Sequence, residues 1–98
     1  MVGLIAKLPV KEGKMQEAIE AIKELMAHVA KEEGTLGYTM NRGGKSEPNT
    51  LVMMERYRDK AALDVHSSSP QFKAFFAKAG ELMDGKPEIA VMEEIASI

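Results

Sequence analysis

The segment Glu55–Phe76, ERYRDKAALDVHSSSPQFKAFF, decides how this chain is read. Its first residues alternate as strand residues do, with Glu55 and Tyr57 on one face and Arg56 and Arg58 on the other. Asp59 is a good N-cap, and KAALDVH after it reads as a short helix. The Ser67–Ser69 run then breaks the pattern. Ser69 caps a second helix whose first position is Pro70, where a missing N–H does no harm. Phe72, Phe75, Phe76, Ala79, Leu82 and Met83 mark its apolar stripe, and Gly85 stops it. The segment holds one of the two His, one of the two Tyr and all three Phe of the chain. A pocket with chemistry in it would take two of its walls from here.

Outward from this segment the periodicity supplies the remaining elements. Val2–Pro9 reads as a strand with Leu4, Ala6 and Leu8 on one face and Ile5 on the other, ended by Pro9. From about Gly13 the spacing changes to three and four. Met15, Ala18, Ile19, Ile22, Met26, Val29 and Ala30 form the apolar side of a helix that Gly34 is placed to cap. His28 falls off that stripe and reads as a solvated helix residue without a role. Leu36–Arg42 suits a second strand, Gly43-Gly44 a turn, Thr50–Arg58 a third strand and Pro87–Ile98 a fourth. The order β-α-β-β-α-β is that of an α+β, ferredoxin-like plait.

At 98 residues the chain is expected to form a single domain, residues 1–98. A net charge of -2 gives no field that would gather nucleic acid or an anionic membrane. No apolar run approaches the about 20 residues of a membrane helix, and MVGLIAKLPV has no basic leader. A cytoplasmic protein is expected. The absence of Cys excludes disulfides and thiolate catalysis. Eight Met residues fit either a Met-rich core or an adaptable lining for a flat apolar ligand.

Two helical units cover only one face of a four-stranded sheet, yet several strands are apolar on both faces. If Leu4, Leu51 and Met53 face the helices, Ile5, Val52 and Met54 stand on the open side. Burying three such side chains is worth roughly 5–9 kcal/mol, comparable to the stability of a small domain. A homodimer packed sheet to sheet about a two-fold axis is the expected solution.

His66 lies nine residues beyond Tyr57, and the turn at Asp59 folds its helix back over the sheet. Met53 and Glu55 share the strand face of Tyr57, and the three Phe offer apolar walls. An imidazole there can serve as general base near neutrality, and a tyrosine can donate to a developing oxyanion. His66 also stands where a histidine simply closes a helix on its last carbonyls. Two His, no Cys and no acid read as paired with either His argue against a metal site. Ser67–Ser69 lacks a nucleophile-elbow context, and Gly43-Gly44 is not a dinucleotide loop. Arg56, Arg58 and Lys60 read as a solvated strand edge, or as a clamp for an anionic group.

The segments EEGTLGY (Glu32–Tyr38) and ERYRDKAALDVHSSSPQFKAF (Glu55–Phe75) resemble the antibiotic biosynthesis monooxygenase domain family, including its quinol monooxygenase-like members. The shared signs are the Glu-x-aromatic strand end, the Asp-x-x-Ala-Leu helix, the His and the following Ser-Pro-x-Phe. The resemblance implies a dimeric α+β barrel, and oxygenation of a small hydroxylated aromatic without metal, flavin or other cofactor. It makes His66 and Tyr57 the candidate catalytic residues, with Tyr38, Asn41, Met53, Glu55, Phe72 and Phe76 around the substrate. Trp, which many members carry at the position of Tyr57, is absent. Ala6 stands where the haem-degrading branch has Asn, so haem degradation is not expected. An isomerase or lyase in the same pocket, and a non-catalytic dimeric stress or binding protein, are the alternatives.

Overall fold

The computed structural model describes residues 1–98. The chain runs β1 (Val2–Pro9), α1 (Met15–Val29), β2 (Thr35–Arg42), β3 (Thr50–Tyr57), α2 (Lys60–Ser68), α3 (Pro70–Leu82) and β4 (Glu88–Glu93). The four strands form one antiparallel sheet in the order β2-β3-β1-β4, the ferredoxin-like plait. Register fixes the faces. Leu4 lies opposite Glu55 and Val91, and Ala6 opposite Met53 and Ile89, so these side chains share the helix-covered side. Ile5, Met54 and Ala90 share the other. No helix is long and apolar enough to cross a membrane.

The two caps in the deciding segment form as their residue types dictate. Asp59 accepts from the Ala62 N–H at 2.8 Å, and the Ser69 hydroxyl accepts from the Phe72 N–H at 3.1 Å, with Pro70 opening α3. Two helices rather than one therefore cross the sheet, meeting at Ser69.

Several expectations shift. In α1 the buried positions are Ala18, Ile22, Leu25 and Val29, so the stripe is centred on Leu25 rather than on Met26. Helix α1 ends at Val29, and Gly34 is not its cap, because the only left-handed residues are Gly13 and Gly85. Gly34 is instead a close approach: a Cβ there would run into Ala62 Cβ and come within 3.3 Å of Ala62 Cα on α2. Nor do Gly43 and Gly44 take left-handed turn conformations. Strand β4 stops at Glu93, short of Ile98; Glu94 still donates its backbone N–H to the Met1 carbonyl at 3.0 Å, and its carboxylate takes a two-pronged pairing with Arg56 at 2.8 and 3.0 Å. All six β4 residues are exposed.

The Gly34 contact yields a stability prediction. Gly34→Ala is expected to lower stability by about 1–3 kcal/mol, since α2 must move to admit one methyl group. At about 4–8 °C per kcal/mol for a domain of this size, a thermal melt reads it directly. An unchanged melting temperature would mean that α2 is not held against this loop.

Candidate active site

Between the helix-covered face of the sheet and the three helices lies a cavity of about 210 Å³, lined overwhelmingly by apolar side chains. Leu4, Ala6 and Met53 form part of its floor, and Leu63, Phe72 and Phe75 part of its roof. The partly exposed Phe76, Ile89 and Val91 stand at its mouth. Its polar lining is confined to Tyr38, Glu55, His66 and Ser67. The Ser67 hydroxyl is already committed, donating to the Leu63 carbonyl at 2.9 Å.

His66 is 2% exposed although it sits in the last turn of a helix. It does not face solvent, as a histidine that merely ends a helix would. The short α2 lies over β2 and β3, and its Asp59 cap sets the rotation that turns His66 inward beside Ala62 and Leu63. Aromatic rings surround it: Tyr38 at 5.3 Å, Tyr57 at 5.5 Å and Phe72 edge-on at 4.9 Å between centroids. The Tyr38 hydroxyl lies 3.5 Å from His66 Nε2. On the far side of the ring, Nδ1 is 3.0 Å from Glu32 Oε1.

Burial sets the protonation of the neighbours. It holds the Tyr38 hydroxyl well above the usual tyrosine range, with the charges of Glu55 and Glu32 adding to the effect. Burial also raises Tyr57, helped by its hydrogen bond to Glu55 and by that carboxyl's charge. Both phenols are therefore O–H donors at any working pH. Burial pushes the Glu55 carboxyl up to about 7; the Tyr57 hydrogen bond opposes this and the charge of Glu32 adds to it. A carboxyl in this range exchanges protons near neutrality.

Of the residues singled out in the sequence, the structure brings His66, Tyr38, Met53, Glu55, Phe72 and Phe76 onto one cavity. It leaves two out. Tyr57 is fully buried behind the wall, its hydroxyl donating to Glu55 Oε1, so it touches the cavity only through that carboxyl. Asn41 lies opposite Val52 on the other face of the sheet and donates to the Val52 carbonyl at 3.2 Å. Being an odd number of residues from Tyr38 on the same strand, it cannot share Tyr38's face.

Glu32 was missed. Its carboxylate reaches His66 Nδ1, accepts from the Thr35 hydroxyl at 2.9 Å and lies 3.5 Å from His28 Nε2. This corrects two expectations at once: the histidines do have an acidic partner, and His28 is half-buried against it. The pairing of His28 with Glu32 at i,i+4 was open to view in the sequence. The pairing with His66, 34 residues away, was not.

Comparison with known proteins places this architecture. The family described as antibiotic biosynthesis monooxygenase matches residues 1–78. The Bacillus subtilis (strain 168) protein named "Putative monooxygenase YcnE" is 32% identical over 93 residues, covering 95% of this chain and 97% of that protein. "Putative monooxygenase Rv0793" of Mycobacterium tuberculosis is 30% identical over 78 residues, covering 79% of this chain and 75% of that protein. Among solved structures, an antibiotic biosynthesis monooxygenase of Caulobacter crescentus CB15, itself named putative, superposes with a TM-score of 0.91 at 32% identity. That superposition covers 97% of this chain and 90% of that one.

Proposed function

The chain belongs to the antibiotic biosynthesis monooxygenase family, and from that premise we propose that it is a cofactor-independent monooxygenase acting on a small hydroxylated, quinol-like aromatic. The strongest support is a buried imidazole whose Nε2 faces an apolar cavity beside a phenol that stays protonated. His66 takes the hydroxyl proton of the substrate as general base. The Tyr38 hydroxyl donates to the oxyanion that forms. The electron-rich anion then reduces dioxygen itself, and the protein's part is to hold the pair away from water. At a ring C–H beside the oxyanion the reaction balances as a hydroxyquinone plus water: one oxygen atom stays on carbon and the other leaves as water with two hydrogens of the quinol. His66 returns its proton to the peroxide before water departs. A protonated Glu55 spares the substrate anion a neighbouring like charge.

Size limits the substrate. An apolar cavity of about 150 Å³ takes benzene, so about 210 Å³ suits one ring with substituents or two fused rings. Larger polycycles would have to project through the mouth between Phe76, Ile89 and Val91. Oxygen uptake by metal-free protein across a panel of hydroquinones and fused-ring phenols tests the reading. A rate equal to the protein-free control with every compound would sink it.

The open face of the sheet supports the second part of the proposal, a homodimer packed sheet to sheet. Met54 is 52% exposed and Met92 43%, with Ile5 beside Met54 on β1 and Val52 next to it along β3 half-buried. A contiguous apolar band of this kind marks an interface. Light scattering is expected to give twice the chain mass at micromolar concentration. Met54→Lys is expected to shift the protein toward monomer. A monomeric wild-type protein at that concentration would contradict the assembly.

A further inference from the structure

Glu32 is the acid that reaches both histidines of the chain. Its side chain is 9% exposed, and its carboxylate meets three side chains, two of them by hydrogen bonds to Oε1. Oε1 lies against His66 Nδ1 and accepts from Thr35 Oγ1. Oε2, a buried atom without a hydrogen-bond partner, faces His28 Nε2. A buried carboxylate is a costly way to fill space, since well-packed apolar residues serve stability as well or better. The arrangement is also directional. A carboxylate can only accept, so the facing ring nitrogen must be the one that carries hydrogen.

We propose that Glu32 is a positioning residue for His66: it fixes the tautomer with hydrogen on Nδ1 and so leaves the Nε2 lone pair facing the cavity. This rests on the reading of His66 as the base. The Thr35 hydroxyl keeps the carboxylate from turning away, and nothing but the Tyr38 hydroxyl at 3.5 Å meets Nε2 from the protein side. The other tautomer would present an N–H to the substrate hydroxyl and could not take its proton. The logic is that of a buried carboxylate orienting a catalytic imidazole in hydrolases, where exchanging the acid for its amide costs about 10⁴-fold through the wrong tautomer.

The test has two readouts. Nitrogen-15 NMR of the protein is expected to show the neutral imidazole of His66 with hydrogen on Nδ1 and a bare Nε2. In Glu32→Gln the tautomer is expected to become mixed or inverted, because an amide can donate as well as accept. Kinetically, Glu32→Gln is expected to lower kcat by about 10²-fold or more and to leave KM within a few-fold. A purely structural role would move stability without this split. Should the Gln variant fail to fold, Glu32→Asp, one methylene too short to reach Nδ1, carries the same expectation. An unchanged tautomer and an unchanged kcat in the folded variant would overturn the proposal. The spectroscopic arm needs no turnover, so a protein inactive on every aromatic tried can still confirm or refute the role of Glu32, while that failure falls on the oxygenase reading.

Discussion

His66→Ala is expected to abolish nearly all oxygen uptake, with kcat lower by about 10²–10⁴-fold, the usual contribution of a positioned general base. The size follows from the surroundings of the ring. Ser67 is tied to a carbonyl and Tyr38 stays protonated, and Glu55, the one other group on the cavity that exchanges protons near neutrality, is engaged by the Tyr57 hydroxyl. The apolar lining disfavours entry of bulk hydroxide or charged buffer as a substitute. His66→Gln separates this from a packing effect. Glutamine keeps the side chain polar and comparably long but takes no proton, so it is expected to be as slow as the Ala variant. Recovery to within about tenfold of the wild-type rate would show that the imidazole only orients the substrate.

Glu55→Gln is expected to stabilise the protein at alkaline pH and to do little at acid pH. The carboxyl is pushed up to about 7 in the folded chain, against an ordinary 4.5. Below about pH 4.5 it is protonated folded and unfolded, and nothing depends on pH. Between about 4.5 and 7 the unfolded chain loses the proton while the folded chain keeps it, so stability falls as pH rises. Above about 7 the folded carboxyl is ionised too, and the full penalty is present. At 1.36 kcal/mol per unit the fall is on the order of 3 kcal/mol. Glutamine has the shape of the protonated acid and still accepts from the Tyr57 hydroxyl. Denaturant unfolding at about pH 8.5 should therefore place Glu55→Gln above wild type by on the order of 3 kcal/mol, with the two nearly equal at about pH 5. Parallel pH dependences for the two proteins would mean that Glu55 is solvated and ordinary.

Local signals carried most of the architecture. The change of period at Gly13, the caps at Asp59 and Ser69, and the Phe spacing of α3 each act within one or two turns of chain, and each appears in the structure. Alternation put Leu51, Met53 and Glu55 on one face of their strand and Leu4 on one face of its own; that these are the helix-covered faces comes from the structure. Asn41 went astray although strand parity alone would have put it on the opposite face from Tyr38. Other misses were not local. That Gly34 is required by the approach of α2, and that Glu32 meets His66, follow from how α2 lies over the sheet. Tyr57 shows the same limit. Its parity is right, yet α2 covers it so completely that its hydroxyl serves Glu55 rather than the cavity.

Isotopically labelled dioxygen tests the central claim most directly, because it asks whether oxygen is a reactant at all. Metal-free wild-type protein turning over a one- or two-ring hydroxylated aromatic is expected to place one labelled atom in the product and the other in water. Turnover should cease without oxygen and be lost with His66→Ala. Undiminished turnover under anaerobic conditions, with no label in the product, would contradict the oxygenase reading and point to an isomerase or lyase in the same cavity.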